Sequence, residues 1–112
     1  MENKNKYILA VDLGTSGPKT ALVSVYGEVI GSEFKDTPVI LFPGGGAEQD
    51  PEGWWNAIMF TSKKLLDKSL VPPEDIVAVS VTTQWSGTVA LDRDGNHLMN
   101  AIIWMDRGAL KR

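Results

Sequence analysis

Residues 7–19 read YILAVDLGTSGPK, an apolar run that reaches Asp12 and continues into a loop of small residues closed by Lys19. The run Tyr7–Val11 is typical of a strand that is buried on both faces of a sheet. Small residues let backbone amides approach an anion, and Lys19 can add a positive charge. Asp12 would repel a phosphate, so its presence makes sense only if a hard cation lies between the two groups.

Taken alone, these residues leave two interpretations of the loop open. In the first, the loop is a magnesium nucleotide site, with Asp12 at the metal and with Thr15, Ser16 and Lys19 at the phosphates. In the second, it is a tight turn in which Asp12 hydrogen-bonds its own backbone. The loop is neither a Walker loop nor a dinucleotide fingerprint, because it lacks GxxxxGK[ST] and GxGxxG.

Length and composition narrow the class of protein. The 112 residues are 43% hydrophobic and 22% charged, as in one soluble globular domain. A formal charge of −3 without a basic stripe argues against a nucleic-acid partner. The chain has no cysteine, which is compatible with a reducing compartment. The apolar run before Asp12 is too short for a signal peptide or a membrane span, so we expect a cytoplasmic protein without a membrane partner.

The remaining pattern predicts an α/β fold with a mixed sheet. A helix should begin at Asp50 and Pro51 and reach about Ser69, because aspartate caps free amides and proline suits the first helical position. The apolar run Ile76–Val81 predicts a second buried strand, parallel to the first. Two further segments, Lys19–Val25 and Val29–Thr37, predict strands that follow the first one in consecutive hairpins. Residues 38–46 predict a loop rich in glycine. Residues 88–92 and 101–104 predict further short strands.

A stripe of apolar side chains at helical spacing supports this helix: Trp55, Ile58, Met59, Leu65 and Leu66, with Ser62 completing the stripe. We assign Trp54, like Trp55, to helix packing. His97 is expected to be a solvated residue of a hairpin turn.

Four stretches of the chain resemble known kinases. DLGTSGPK resembles the first phosphate loop of the superfamily shared by actin, heat-shock chaperones and sugar kinases. AEQDPEGWW, AVSVTTQWSGTVALDRDG and AIIWMDRGA, in that order, resemble the N-terminal part of the FGGY carbohydrate kinases, the family of glycerol kinase, xylulokinase and gluconokinase. The resemblance implies a ribonuclease H-like (actin-like ATPase) mixed sheet with a three-stranded antiparallel start and a later parallel strand. Residues 1–112 would be the N-terminal part of the first domain, with the second, nucleotide-binding domain absent.

The resemblance also implies the chemistry, which is transfer of a phosphoryl group from ATP, with Mg²⁺, to a sugar or polyol hydroxyl. Asp12 matches the carboxylate near magnesium, Thr15 and Ser16 match nucleotide phosphate contacts, and Lys19 matches a basic residue of that loop. The catalytic base of the family lies downstream of these motifs. We therefore expect the isolated chain to be inactive.

On the acceptor side, Gln84, Trp85 and Ser86 match a segment that lines the sugar pocket. Glycerol kinases resemble one another in having Arg-Glu after the matching glutamine, and xylulokinases usually have His before the glycine. Trp85 and Ser86 depart from both patterns, which weakens both named specificities. They cannot reproduce the charge-assisted hydrogen bonds of Arg-Glu, so a glycerol kinase is not expected. Trp85 can line a pocket or pack in a core.

Trp104, Asp106 and Arg107 match the family's WxDxR segment near the substrate cleft. We predict that Trp104 and Asp106 contact substrate, and the alternative is a structural ion pair at the start of the next helix. Two functions are left open, a carbohydrate kinase and a non-catalytic binding or assembly domain with the same architecture. A partial domain should expose a sheet edge and apolar surface, so self-association is expected.

Overall fold

The computed structural model describes residues 5–108, which form two β-sheets and a long helix. The first sheet contains four strands in the order β3-β2-β1-β6 and the second contains three in the order β4-β5-β7. In chain order, the elements are β1 (Tyr7–Leu13), β2 (Pro18–Ser24), β3 (Val29–Phe34), β4 (Ile40–Phe42), β5 (Gly46–Gln49), α1 (Pro51–Asp67), a 3-10 turn (Pro73–Asp75), β6 (Ile76–Thr83) and β7 (Ala101–Ile102).

The first sheet has the predicted mixed topology. β1 pairs with β2 in antiparallel register and with β6 in parallel register, and β3 extends the antiparallel part. The predicted fold class, with an antiparallel three-stranded start and a later parallel strand, is therefore confirmed. The pairing places Asp12 opposite Lys19 on one side and opposite Thr82 on the other.

The helix begins where the sequence predicts. The side chain of Asp50 accepts a hydrogen bond from the backbone N–H of Glu52 at 3.0 Å, and Pro51 occupies the first helical position. The helix ends at Asp67, slightly before the predicted Ser69. No helix among residues 5–108 is long and apolar enough to cross a membrane.

Small side chains let α1 pack closely on β2. Ala57, Thr61 and Leu65 are its buried residues, and the hydroxyls of Thr61 and Thr20 share a hydrogen bond of 2.8 Å. Leu22 of β2 is also fully buried. The apolar stripe lies on the helix but does not coincide with its buried face, apart from Leu65: Trp55, Met59 and Leu66 are exposed and Ile58 is half-buried. The buried face is rotated toward Ala57 and Thr61 because α1 lies over β2 and β3.

The two adjacent tryptophans of α1 have different environments. Trp54 is half-buried and packs against the apolar cluster Ala47, Ala101 and Ile103 beside the second sheet. Trp55 is 59% exposed, so its assignment to helix packing is wrong for this structure. Consecutive helical residues point about 100° apart, and only one of the pair can face the sheets.

The second sheet arises partly from a segment that the sequence predicts to be a loop. Gly44 and Gly45 adopt left-handed φ angles of 89° and 96°, which form a hairpin turn between β4 and β5. The N–H of Gly45 donates to the Phe42 carbonyl at 3.3 Å. Residues 38–46 are therefore not all loop, because they include β4 and the turn that connects it to β5. Residues 88–92 form isolated bridges to Ile102 and His97 rather than a strand, and His97 is exposed, as predicted.

Strand β6 is a sheet edge, and its apolar side chains are uncovered. Val77, Val79 and Val81 are all more than half exposed, although their near-continuous apolar run predicts burial. The reason is geometric, since α1 lies mainly over β2 and β3, at the other side of the sheet. The first strand is also less buried than predicted, and Val11 is its only fully buried residue.

Candidate functional site

A row of three polar side chains crosses the first sheet where β1 and β6 end. Lys19, Asp12 and Thr82 are register partners on adjacent strands, so their side chains share one face. The next row on that face contains the small residues Ala21, Ala10 and Ser80. These small side chains leave an open pocket of about 190 Å³, which all six residues line together with Val11.

The charged members of this row are available to a ligand. Within residues 5–108, the carboxylate of Asp12 and the ammonium of Lys19 have neither a hydrogen-bond nor an ion-pair partner. Both residues are exposed. In sheets with parallel strands, ligands collect beyond the carboxyl ends of those strands, which is where this row lies. A carboxylate, a hydroxyl and a cation together suit a metal-bound phosphate.

The loop between β1 and β2 is a tight turn held against the chain that follows β3. The N–H of Gly17 donates to the Gly14 carbonyl at 3.2 Å, and the N–H of Thr37 donates to the Ser16 carbonyl at 2.9 Å. Gly17 has a φ of 145°, and a methyl group there would overlap the carbonyl oxygen of Lys35. The loop conformation therefore requires glycine at this position. Ser16 is left exposed at the surface.

Thr15 joins this loop to the segments that follow β6 and β7. Its Oγ1 accepts a hydrogen bond from the indole Nε1–H of Trp104 at 2.7 Å. The same hydroxyl lies 3.5 Å from Oε1 of Gln84, to which it can donate. The Thr15 hydroxyl is thus already hydrogen-bonded to other residues of the protein. The other two residues predicted to contact the phosphates, Ser16 and Lys19, have exposed side chains.

The segment after β6 presents one residue inward and two outward. Gln84 is half-buried, and its N–H donates to the Leu13 carbonyl at 2.8 Å. Trp85 is 74% exposed and is not packed in a core of the described residues. Ser86 has a φ of 60°, a left-handed conformation that is uncommon for residues other than glycine. Such conformations are often found where a chain must present its side chains to a ligand.

Asp106 organises the chain after β7. Its Oδ2 accepts from the N–H of Ala47 at 2.9 Å, and its Oδ1 accepts from the N–H of Gly108 at 3.0 Å. The N–H of Arg107 donates to the Gly45 carbonyl at 2.7 Å. The bonds to Ala47 and Gly45 attach the segment after β7 to β5 and to the turn before it. The substrate contact predicted for Asp106 stays a prediction.

One buried residue that the sequence analysis overlooked lies between these segments. Gln49 is fully buried, and its side-chain amide makes four hydrogen bonds. Its Nε2 donates to the carbonyls of Thr15 and Thr37, at 2.7 and 3.3 Å. Its Oε1 accepts from Nε1 of Trp54 at 3.1 Å and from Nε2 of Gln84 at 2.8 Å. The available signal was a glutamine directly before the helix cap, in the AEQDP stretch.

A sequence profile described as the FGGY family of carbohydrate kinases, N-terminal domain, matches residues 7–111. The chain belongs to the FGGY family. It is 40% identical over 101 residues to a xylulose kinase of Bacillus subtilis (strain 168), covering 90% of this chain and 20% of that protein. It is 34% identical over 107 residues to a glycerol kinase of Mycoplasmopsis pulmonis, covering 95% and 21%.

The fold comparison agrees with the sequence comparison. A crystal structure of gluconate kinase from Lactobacillus acidophilus superposes with a TM-score of 0.85 at 31% identity, over 95% of this chain and 21% of that one. This FGGY chain thus spans about a fifth of the length of these kinases. Carbohydrate kinases are phosphotransferases with alcohol acceptors, and the three relatives are named for three different acceptors.

The FGGY chain offers a magnesium ion few ligands of its own. Among the residues from 5 to 108, no three histidine, aspartate or glutamate side chains gather as a metal site would require. Magnesium commonly takes one or two carboxylates and completes its shell with water and substrate phosphates. The free carboxylate of Asp12, with Thr82 and Lys19 beside it, fits that mode of binding.

Proposed function

We propose that this chain forms one wall of a site where ATP, with Mg²⁺, phosphorylates a hydroxyl of a sugar or polyol. The observation that carries the proposal is the 2.7 Å hydrogen bond from Trp104 to Thr15. It joins the loop proposed to contact the nucleotide to a segment proposed to face the acceptor. Phosphoryl transfer depends on holding donor and acceptor in line, so these segments need a fixed spacing.

On the nucleotide side, Asp12 would hold magnesium, directly or through water. Lys19 would supply positive charge to the phosphates, and Ser16 would donate from its exposed hydroxyl. Thr15 would contact phosphate through its backbone, because its hydroxyl already bonds Trp104. When bound, the metal would neutralise charge that develops on the transferring phosphoryl group.

On the acceptor side, Trp85 would offer an exposed indole face and one N–H donor to a sugar ring. Ser86 would donate or accept through its hydroxyl, and Gln84 would orient the segment. Trp104 would contact the acceptor through its ring, since its N–H is committed to Thr15. Asp106 would contact the acceptor through its carboxylate, which can accept hydrogen bonds from sugar hydroxyls.

The relatives act, by their names, on xylulose, glycerol and gluconate. We propose a sugar acceptor rather than glycerol, because Trp85 and Ser86 replace the Arg-Glu pair with an apolar face and a hydroxyl. An aromatic face favours the larger apolar surface of a sugar ring over a three-carbon polyol.

We further propose that residues 1–112 are the N-terminal part of the first kinase domain. The general base and most of the nucleotide contacts would then come from sequence outside this chain. Because catalysis needs both walls of the cleft, the isolated chain should bind nucleotide weakly and should not turn it over. Sugar-dependent hydrolysis or transfer from ATP by this chain alone would contradict that expectation.

Calorimetric titration with magnesium ATP tests the nucleotide half. Wild-type chain should bind weakly, and Asp12→Ala should lose the binding. Asp94→Ala removes an exposed carboxylate from the turn after Leu91 and should bind like wild type. If wild type and both variants fail to bind, the loop is only a turn in this chain, and a non-catalytic binding or assembly role becomes the better interpretation.

A further inference from the structure

The buried amide of Gln49 has every hydrogen-bonding position occupied. A side-chain amide carries two N–H donors and an oxygen with two lone pairs. Gln49 directs its donors to Thr15 and Thr37 and its lone pairs to Trp54 and Gln84. No apolar side chain of this size could satisfy these partners, and a carboxylate could not donate to the two carbonyls.

The partners of Gln49 belong to segments assigned to opposite substrates. Thr15 lies in the proposed nucleotide loop, at 2.7 Å, and Gln84 begins the proposed acceptor segment, at 2.8 Å. These are the two shortest of its four bonds. Trp104 joins the same network through Thr15, so one buried amide connects all three segments.

We propose that Gln49 is a positioning residue that sets the spacing between the nucleotide loop and the acceptor segment. Because its side chain is fully buried, it would act on both substrates only through Thr15 and Gln84. This inference rests on the proposed function, because it assigns those two segments to nucleotide and acceptor. It identifies Gln49, from the strand before α1, as part of the support of the site.

Gln49→Met tests the proposal, because methionine has a similar length and lacks all four hydrogen bonds. The variant leaves the Thr15 and Thr37 carbonyls buried without their donor, and the loop should lose its fixed position. We expect magnesium ATP affinity to fall roughly tenfold, as expected for one lost buried hydrogen bond that matters for binding. The indole proton of Trp104 should also exchange faster with solvent.

A matched control separates positioning from general stability. Thr61→Val breaks the buried bond between Thr61 of α1 and Thr20 of β2. Thr20 lies on the face of the first sheet that α1 covers, opposite the face that carries Asp12 and Lys19. Thr61→Val should lower the melting temperature and leave magnesium ATP affinity unchanged. If Gln49→Met binds like wild type, the positioning proposal is overturned while the proposed function stands. If wild type itself does not bind, the proposed nucleotide loop fails, and the role given to Gln49 fails with it.

Gln49→Glu provides a second readout, in case Gln49→Met does not fold. An ionised carboxylate keeps the bonds from Trp54 and Gln84 but faces the Thr15 and Thr37 carbonyls without a donor. Burial raises the pKa of a glutamate, and the protonated acid can donate to one carbonyl. The affinity ratio of wild type to variant should therefore shrink as the pH falls from about 8 to about 5. A ratio that stays constant with pH would show that packing alone matters and would overturn the proposal.

Discussion

The indole Nε1–H of Trp104 donates to Oγ1 of Thr15 at 2.7 Å, across 89 residues of sequence. The bond joins the chain after β7 to the loop after β1, and hence the second sheet to the first. The side chain of Trp104 is about half exposed, and the bond to Thr15 fixes its N–H. An aromatic ring held in this way is pre-organised for stacking on a ligand.

Thr15→Val should release the Trp104 indole while keeping the shape of the side chain at position 15. Because this hydrogen bond is exposed, its loss should lower the free energy of unfolding by no more than about 1 kcal/mol. The indole proton of Trp104 should shift in the NMR spectrum and exchange faster. Thr15→Ser keeps the hydroxyl and should behave like wild type in both measurements. An unchanged indole signal in Thr15→Val would contradict the assignment of this bond.

Gly17→Ala should be the most damaging glycine substitution in the loop between β1 and β2. The φ of 145° is strained for alanine, and its methyl group would overlap the Lys35 carbonyl. We expect a loss of about 3 kcal/mol or more in the free energy of unfolding, from strain and steric overlap together. Chemical denaturation measures this loss.

Gly44→Ala is the control for conformational strain without steric overlap. Gly44 has a φ of 89°, but a methyl group there would meet no atom within 4 Å. Its cost should be about 1 kcal/mol, the usual penalty of a left-handed residue. Equal losses at Gly17 and Gly44 would mean that contact with Lys35 does not constrain the loop.

Local signals were sufficient to predict most elements of the first sheet and the helix start. The cap at Asp50 and the hairpins depend on residues close in sequence, and both are found as predicted. The buried face of α1 was not predictable in the same way, because it depends on which strands the helix covers. Trp55 and Met59 follow helical spacing and still face away from the sheet.

The candidate site shows the same difference between residues that local sequence signals predict and residues that depend on the tertiary structure. Asp12 and Lys19 were predicted from one short motif, but the row they form with Thr82 requires the strand register. Gln49 was missed because its partners lie 5, 12, 34 and 35 residues away in sequence. A buried glutamine is understood only once the groups around it are known.

Glu33 should make stability depend on pH in the acidic range. Hydrogen bonds from Lys64 and Lys68, each at 3.2 Å, lower the pKa of Glu33 below its ordinary value of 4.5. Because the folded pKa is the lower one, the stabilisation is present above the unfolded pKa and is lost as the pH falls through the folded pKa. Glu33→Gln should therefore lower the melting temperature near neutral pH, and the gap to wild type should close below about pH 4.

The exposed pair of Lys63 and Asp67 provides the comparison for Glu33. Both side chains are mostly exposed, and such surface pairs contribute little to stability. Asp67→Asn should leave the melting temperature nearly unchanged at neutral pH. If the gap between wild type and Glu33→Gln stayed constant down to acidic pH, the two lysine bonds would not account for the stability at this position.

The surface of β6 combines several features that promote association. It is the edge of the first sheet, it is eight residues long, and its sequence IVAVSVTT contains neither charge nor proline. Natural proteins usually protect such edges with charges, proline or covering elements, because unpaired N–H and C=O groups pair readily with another strand. The opposite edge, β3, carries Glu33 and a register irregularity.

We therefore predict that the isolated chain associates through β6 and that Val79→Lys weakens the association. Lysine would place a charge on an edge residue that is 65% exposed, and like charges would then meet in a paired dimer. Val29→Lys changes a residue of β3 that is 66% exposed and should associate like wild type. Sedimentation velocity over a range of concentrations measures both. A wild-type chain that stays monomeric at high concentration, or equal weakening by the two lysines, would show that β6 is not the contact.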